Sequence, residues 1–479
     1  MLNKKDLRSS HSNSSEAKPL DRKRLVVLVA VVLLSVFAYT QTRDTLTVDQ
    51  RGALVVLIVA SGFWTTEALP LSATSILIPL LQTFLGVQGF SQALVPFFDP
   101  VVMLLLGGFM LAVAVEKYDL DEYFAYLIVS NVKAGPRSLV LAVMLTAGFM
   151  SMWISNTAAT ALLITMAIRI CENIQDEKGN FTKIMILSIA YSSTAGGLST
   201  LVGTTTCAMA AASLQELIGY EISFFGWIFY GFPIAIIQIL IIWVVLFALF
   251  PTTVKEIPPI ERERTQLTAK QRQTLVVFGF AVIAWLTGKL PDPLANLIGW
   301  PGHGYGSSVV AAVIIVLLFF VDLLDENDIK NGKWGTLLLI GGGLSLGSAL
   351  EVSGLVNVIS NLLVSFTGGG SPLLIVSMVT FAGLGISIIA SNTASAGIFL
   401  PIAISLGQQT GFSPVILAVV VGIGTSLDFM LPVGTPPNAI AYSTGKVSMP
   451  EMIKAGILLD ITGALLTITM AVLLWPYLV

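Results

Sequence analysis

Long apolar stretches, broken by short polar or glycine-rich segments, run the length of this chain. Leu25–Tyr39, Pro233–Phe250, Val309–Val321 and Ile461–Leu474 are almost wholly apolar, and several approach the ~20 residues that carry a helix across a ~30 Å hydrocarbon core. A membrane barrel would show alternation over ~10-residue segments, which these runs lack, so the spans read as helices. Two of the apolar stretches carry the same polar insertion, Ser155-Asn156-Thr157-Ala158 and Ser391-Asn392-Thr393-Ala394. A Val-Gly-Thr follows each, at 202–204 and 433–435. GGFMLAVAVE (107–116) likewise returns as GGLSLGSALE (342–351). The three landmarks recur in order at nearly one offset (342 − 107 = 235, 391 − 155 = 236, 434 − 203 = 231). That predicts two homologous halves of about five spans each, preceded by one extra helix.

Composition agrees with the pattern: 55% of the 479 residues are hydrophobic and 11% charged, against roughly 25% charged in a soluble domain. The organisation expected is a polar cytosolic tail (1–24), a first transmembrane helix (25–50), a first repeat (51–250), a cytosolic linker (251–272) containing Pro258-Pro259 and ERER, and a second repeat (273–479). A net charge of −3 offers nothing to a nucleic acid, and two cysteines, Cys171 and Cys207, are too few for a disulfide framework.

Charge placement supplies the orientation. Basic residues gather in the tail, in 117–138, 169–186, the linker, 330–333 and 446–454. Facing all of these to the cytosol puts 22 of the 25 Lys and Arg inside and leaves Arg43, Arg51 and Lys289 outside. Both flanks of the first Ser-Asn-Thr segment are then cytosolic, which a re-entrant hairpin over about 139–172 permits and a simple crossing does not. The second hairpin, about 372–407, has flanks free of Lys and Arg and enters from outside. The fold class is an all-α polytopic membrane protein of about eleven transmembrane helices plus two re-entrant hairpins, in two inverted-topology repeats. The N-terminus is cytosolic, the C-terminus outside, and the protein sits in the plasma membrane.

Helices that stop in mid-membrane leave orphan N–H groups, which with Ser, Thr and Asn side chains donate to a carboxylate without a fixed positive charge. Asn and Ser oxygens and freed carbonyls ligate a small hard cation such as Na⁺, which offsets the cost of bringing a dianion into low dielectric. Two such nests suit a ligand with two carboxylates. The bland alternative is helix packing through small residues, and duplication argues against it. Glu67, Glu116 and Glu351 read as helix-end or interfacial residues and Gly107-Gly108 and Gly341–Gly343 as packing glycines. Trp153 reads as packing, while His11 and His303 fall in a tail and a loop. No P-loop, nucleophile elbow or paired metal-ligand spacing is present, so the protein reads as a carrier and not an enzyme, with no cofactor beyond a coupling ion.

FWTTEALPLSATSILIPL (63–80), SMWISNTAAT (151–160), SNTASAGIFLPIA (391–403) and FMLPVGTPPNAIAY (429–442) together resemble the divalent-anion:sodium symporter family of di- and tricarboxylate carriers, over nearly the whole chain beyond the tail. The resemblance implies a homodimer whose scaffold and transport domains each draw on both repeats, working as an elevator. It implies substrate contacts from Ser155, Asn156, Thr157, Ser391, Asn392 and Thr393, with Thr204, Thr435 and Pro436 in the same cavity. It implies Na⁺ sites at Ser151, Ser155, Asn156 and Gly203, and at Ser387, Ala390, Asn392 and Gly434. Two departures bear on the coupling ion. Where a Pro-Pro-Asn-like sequence often stands, the first half has Thr205-Thr206-Cys207, whereas the second keeps Pro436-Pro437-Asn438. Asp428 stands where a small or neutral residue is usual, and is a candidate coupling residue or a cap on a broken helix. The function expected is transport of C4-type dicarboxylates such as succinate, malate, fumarate or 2-oxoglutarate, Na⁺ coupled. The alternatives are a dicarboxylate exchanger and, behind it, a sulfate carrier, an anion channel or a membrane-embedded enzyme.

Overall fold

The computed structural model describes residues 22–478, apart from 121–122, 124–134, 173, 175, 177–178, 258–265 and 368–369. Most of the expected tail, Lys133, Lys178 and the Pro258-Pro259-ERER part of the linker lie outside the described residues, among which there is no strand. The helices are α1 (Arg22–Gln41), α2 (Val48–Thr66), α3 (Leu71–Phe84), α4 (Phe90–Leu94), α5 (Pro100–Lys117), α6 (Pro136–Ser151) and α7 (Asn156–Glu172). Then come α8 (Asn180–Gly197), α9 (Thr205–Ile218), α10 (Phe224–Leu249), α11 (Ala269–Leu286), α12 (Asp292–Ile298) and α13 (Ser307–Phe320). The last are α14 (Trp334–Val352), α15 (Leu355–Thr367), α16 (Pro372–Ile389), α17 (Asn392–Thr410), α18 (Pro414–Gly424), α19 (Pro436–Ser443) and α20 (Met449–Leu473). Among the described residues five helices are long and apolar enough to cross a membrane, and shorter apolar helices accompany them.

Capping chemistry sets where many of these begin. Thr47 accepts from the Gln50 amide while the Gln50 side chain returns to the Thr47 N–H, a reciprocal box repeated by Thr268 and Gln271 and by Ser448 and Glu451. The first box moves a boundary: the helix expected over 25–50 stops at Gln41, and residue 51 lies inside α2. The second box ends the expected linker four residues early, since α11 begins at Ala269. Pro at the first helical position opens α5, α6, α16, α18 and α19, where its missing N–H costs nothing.

Element starts repeat along the chain. Helices beginning at Leu71, Pro100, Pro136, Asn156 and Asn180 are matched by helices beginning at Ser307, Trp334, Pro372, Asn392 and Pro414, each 234 to 236 residues on (307 − 71 = 236, 334 − 100 = 234). The two halves exchange packing partners. A Cβ on Gly107 of α5 would lie 2.6 Å from Ala311 Cβ of α13, and one on Gly342 of α14 2.5 Å from Ser75 Cβ of α3. The glycine pairs are therefore where one half's helix touches the other's, close enough that only hydrogen fits.

The outside is apolar and the middle polar. Val26, Leu33 and Phe37 of α1 are exposed, whereas Tyr191-Ser192-Ser193-Thr194 of α8 are buried. Every residue of α18 after Pro414 is buried, as suits a helix enclosed on all sides. Between helix ends, Lys117 pairs with Asp325 (3.3 Å) and Asp328 (2.6 Å), Lys270 donates to Asp322 O, Asn180 to Pro251 O, and Lys183 pairs with Glu451 at 2.7 Å. The Asn327 amide, with Lys117, holds the Asp325 carboxyl below the usual range.

Candidate functional site

Each half contains a helix, a short break and a second helix, and the break falls at the Ser-Asn-Thr triplet. In the first, α6 ends at Ser151 and α7 starts at Asn156, with Ser155 Oγ accepting from the Ala158 amide at 3.2 Å. In the second, α16 ends at Ile389, Ala390 is extended, and α17 starts at Asn392. The same bond braces both breaks: Ser151 Oγ donates to Asn156 Oδ1 at 2.5 Å, and Ser387 Oγ to Asn392 Oδ1 at 2.7 Å. Ser387 Oγ also lies 2.5 Å from Thr425 O. One hydroxyl hydrogen serves one acceptor at a time, so an oxygen there stays free for another partner.

The first Val-Gly-Thr loop presses against its break and the second against Asp428. A Cβ on Gly203 would fall on Gly197 O and lie 2.9 Å from both Gly197 Cα and Ser151 O. A Cβ on Gly434 would fall into the Asp428 carboxylate. After the loops, α9 starts at Thr205 and α19 at Pro436, with Thr435 Oγ1 accepting from the Asn438 amide at 3.4 Å. The halves meet through hydroxyls: Thr205 and Thr393 lie 2.6 Å apart, Thr206 donates to Gly422 O at 2.7 Å, and Thr204 lies 3.3 Å from Ser426 Oγ. The first half thus has side-chain hydroxyls where prolines would have none, and uses them to bind the second half.

A cavity of about 640 Å³ lies where these parts converge. Ser155, Asn156, Thr157, Gly203 and Thr204 line it from one half and Ala390, Ser391, Asn392, Thr393, Gly434, Thr435 and Pro436 from the other. The first residues of α7, α9, α17 and α19 are all in its wall, so four helix N-termini, each roughly half a positive charge, face one space. Ser151, Ser387 and Asp428 are fully buried behind that wall.

Two residues read otherwise from sequence also line the cavity. Glu67, taken as a helix-end or interfacial residue, does end α2, with φ +50, and stands exposed in the cavity wall. Lys333, counted with the basic 330–333 segment expected to face the cytosol, precedes α14 with φ +49, its ammonium 5.3 Å from the centre of the Phe109 ring. The expected absence of fixed positive charge is corrected by Lys333: it reaches the cavity because α14 begins at the wall, a tertiary fact without a local sequence signal. Trp153 packs on Phe224 (6.1 Å) and Phe278 (5.9 Å), and His303 Nε2 bonds to Ala284 O at 2.8 Å.

A family model described as the sodium:sulfate symporter transmembrane region matches residues 21–479. The chain belongs to that family, the divalent-anion:sodium symporters. A Haemophilus influenzae protein described as an uncharacterized transporter is 32% identical over 94% of this chain and 96% of its own length. The sodium-dependent dicarboxylate transporter SdcS of Staphylococcus saprophyticus is 31% identical over 99% of this chain and 97% of its own. Among solved structures, the YdaH transporter of Alcanivorax borkumensis shares the fold, with a TM-score of 0.58 at 13% identity over 80% of this chain and 87% of that one. As a member of that family, the protein is an integral membrane transporter and not an enzyme.

Proposed function

We propose that this protein carries C4-type dicarboxylates such as succinate, malate, fumarate or 2-oxoglutarate across the cell membrane, coupled to Na⁺. The observation that carries the reading is the single cavity walled by both Ser-Asn-Thr breaks and four helix N-termini. A dianion gains from aligned N–H groups and hydroxyls on two opposed sides, which matches two carboxylates better than one. The name of the staphylococcal relative, a sodium-dependent dicarboxylate transporter, points the same way.

In this reading Ser155, Asn156, Thr157 and Thr204 hold one carboxylate and Ser391, Asn392, Thr393, Thr435 and Pro436 the other. Lys333 draws the anion in. Na⁺ travels with it, one ion among Ser151, Ser155, Asn156 and Gly203 and one among Ser387, Ala390, Asn392 and Gly434. The oxygens already crowded around Ser387 suit the second ion. The breaks are tips of re-entrant hairpins in two inverted repeats. They ride in a transport domain that slides as an elevator along a scaffold holding a homodimer. The basic segments that Lys117, Lys183 and Lys270 tie to their neighbours lie on the cytosolic side in this reading, by the positive-inside tendency. Lys333 then makes the cavity inward-facing, with the C-terminus outside.

Counterflow of labelled succinate in proteoliposomes, in Na⁺ and in choline, against malate, fumarate, 2-oxoglutarate, citrate and sulfate, tests the proposal. Accumulation in Na⁺ with competition by C4 dicarboxylates is expected, and uptake indifferent to both would refute it. A second reading, dicarboxylate exchange without net Na⁺ coupling, is favoured by the Asp428 carboxylate against Gly434, because a cation held by a fixed charge stays through the cycle. Uptake that requires internal succinate and ignores the Na⁺ gradient would select it.

A further inference from the structure

Behind the second hairpin the structure gathers oxygens with nothing to bind. After α18 ends at Gly424 the chain runs without helix to Thr435, and Asp428 in that stretch is fully buried. Neither of its carboxylate oxygens accepts a well-formed hydrogen bond, although the Met430 amide leans toward it. Asp460 of α20 faces the same stretch: its Oδ1 accepts from the Phe429 amide at 2.8 Å, while its Oδ2 is buried and unpartnered. Gly456, one turn before, lets α20 touch the 429–430 backbone, its Cβ position lying 2.5 Å from Met430 N. Asp460, and not Asp428, is thus the carboxylate that caps the broken chain.

Two further groups point to a ligand independently of the acids. Tyr191 of α8 packs edge-on against Phe429 with ring centres 5.4 Å apart. Its fully buried hydroxyl lies within electrostatic reach of both carboxylates and bonds to neither. Asn438 donates its amide to Asp428 O (3.2 Å) and Leu431 O (3.0 Å), which leaves its buried Oδ1 without a partner. Neither carboxylate is ion-paired among the described residues, and no cationic side chain acts on either of them. The carbonyl end of α18, the negative end of its dipole, adds to the same excess. Oxygens that outnumber the donors around them, beside unwound backbone and a helix C-terminus, form the surroundings that hold small hard cations.

We infer that Asp428, Asp460, Asn438 and Tyr191 form a cation site apart from the hairpin tips, taking one small hard monovalent ion such as Na⁺. It depends on the Na⁺-coupled reading for its part in transport, but not for binding. Because the ion bridges the 425–435 stretch to α8 and α20, it ties the second-half loop to both repeats while the tips hold substrate.

Binding of ²²Na⁺ to the purified full-length protein in lipid nanodiscs tests this, counted per chain. The variants are Asp460→Asn, Tyr191→Phe and the pair Asn156→Ala/Asn392→Ala. Asp460→Asn keeps an oxygen for the Phe429 amide, and its succinate-induced thermal shift reports that it folds. The expected result is that Asp460→Asn binds one ion fewer than wild type, Tyr191→Phe binds several-fold more weakly, and the tip pair still retains one ion. If the tips bind no Na⁺, wild type and the tip pair retain the same single ion, which sinks the coupling reading but not this site. An undiminished count in Asp460→Asn, or no ion in the tip pair, overturns the site and leaves the carboxylates to be neutralised by protons.

Discussion

Replacing Gly203 by alanine adds one methyl group at the point where the first Val-Gly-Thr loop meets the first hairpin break. The new carbon falls on Gly197 O and lies 2.9 Å from Ser151 O and Gly197 Cα, all backbone atoms that cannot rotate away. Ordinary contact begins at 3.4 Å, so relative to Ser151 O alone the loop must retreat by 0.5 Å (3.4 − 2.9). Ligand distances in cation sites tolerate about 0.2 Å, and overpacking of this kind costs about 1–3 kcal/mol. Charged to the Na⁺ site proposed at Ser151, Ser155, Asn156 and Gly203, that is roughly a 5- to 150-fold loss of Na⁺ affinity. The assay is the Na⁺ dependence of labelled succinate uptake in proteoliposomes, with thermal unfolding followed in parallel. Gly434→Ala is the matched control, because its methyl meets the Asp428 side chain and not backbone. Adding Asp428→Ala relieves the Gly434→Ala clash, whereas Gly203→Ala has no side chain whose removal would help it. A Gly203→Ala protein whose half-saturating Na⁺ concentration stays within about twofold of wild type, a shift well under the 1.4 kcal/mol of a tenfold change, would refute the reasoning.

Asn156→Ala and Asn392→Ala should each abolish uptake; the first costs folding the ~1–3 kcal/mol of an unpaired Ser151 hydroxyl, and the second less, because Ser387 keeps Thr425 O as acceptor; normal transport by either variant, measured alongside its melting temperature, would count against the site. Lys333→Met should raise the KM for succinate several-fold, most at low ionic strength where a single charge is least screened, and an unchanged, salt-independent KM would show that the lysine does not steer the anion. Thr205→Val and Thr393→Val should each destabilise by about 0.5–1.5 kcal/mol and together by little more, since both delete the same 2.6 Å bond; full additivity in thermal unfolding would mean that the contact does not bind the halves.

Much of this protein is written locally. Apolar length determined that the chain is helical and lies in a membrane, because hydrocarbon leaves backbone amides no partner but each other. The three repeated landmarks anticipated the recurrence of helix starts 234 to 236 residues apart, and the Ser-Asn-Thr and Val-Gly-Thr motifs marked the residues that wall the cavity. Helix ends were less legible: Thr47 and Thr268 moved two boundaries through bonds made by single side chains. Tertiary structure alone decided which groups face one another. Thr205 meets Thr393, Lys333 reaches the cavity, and Asp460 turns toward Phe429 because Gly107, Gly342 and Gly456 let helices distant in sequence come within contact. Such approaches depend on the shapes of two surfaces at once, whereas periodicity and motif describe one segment at a time.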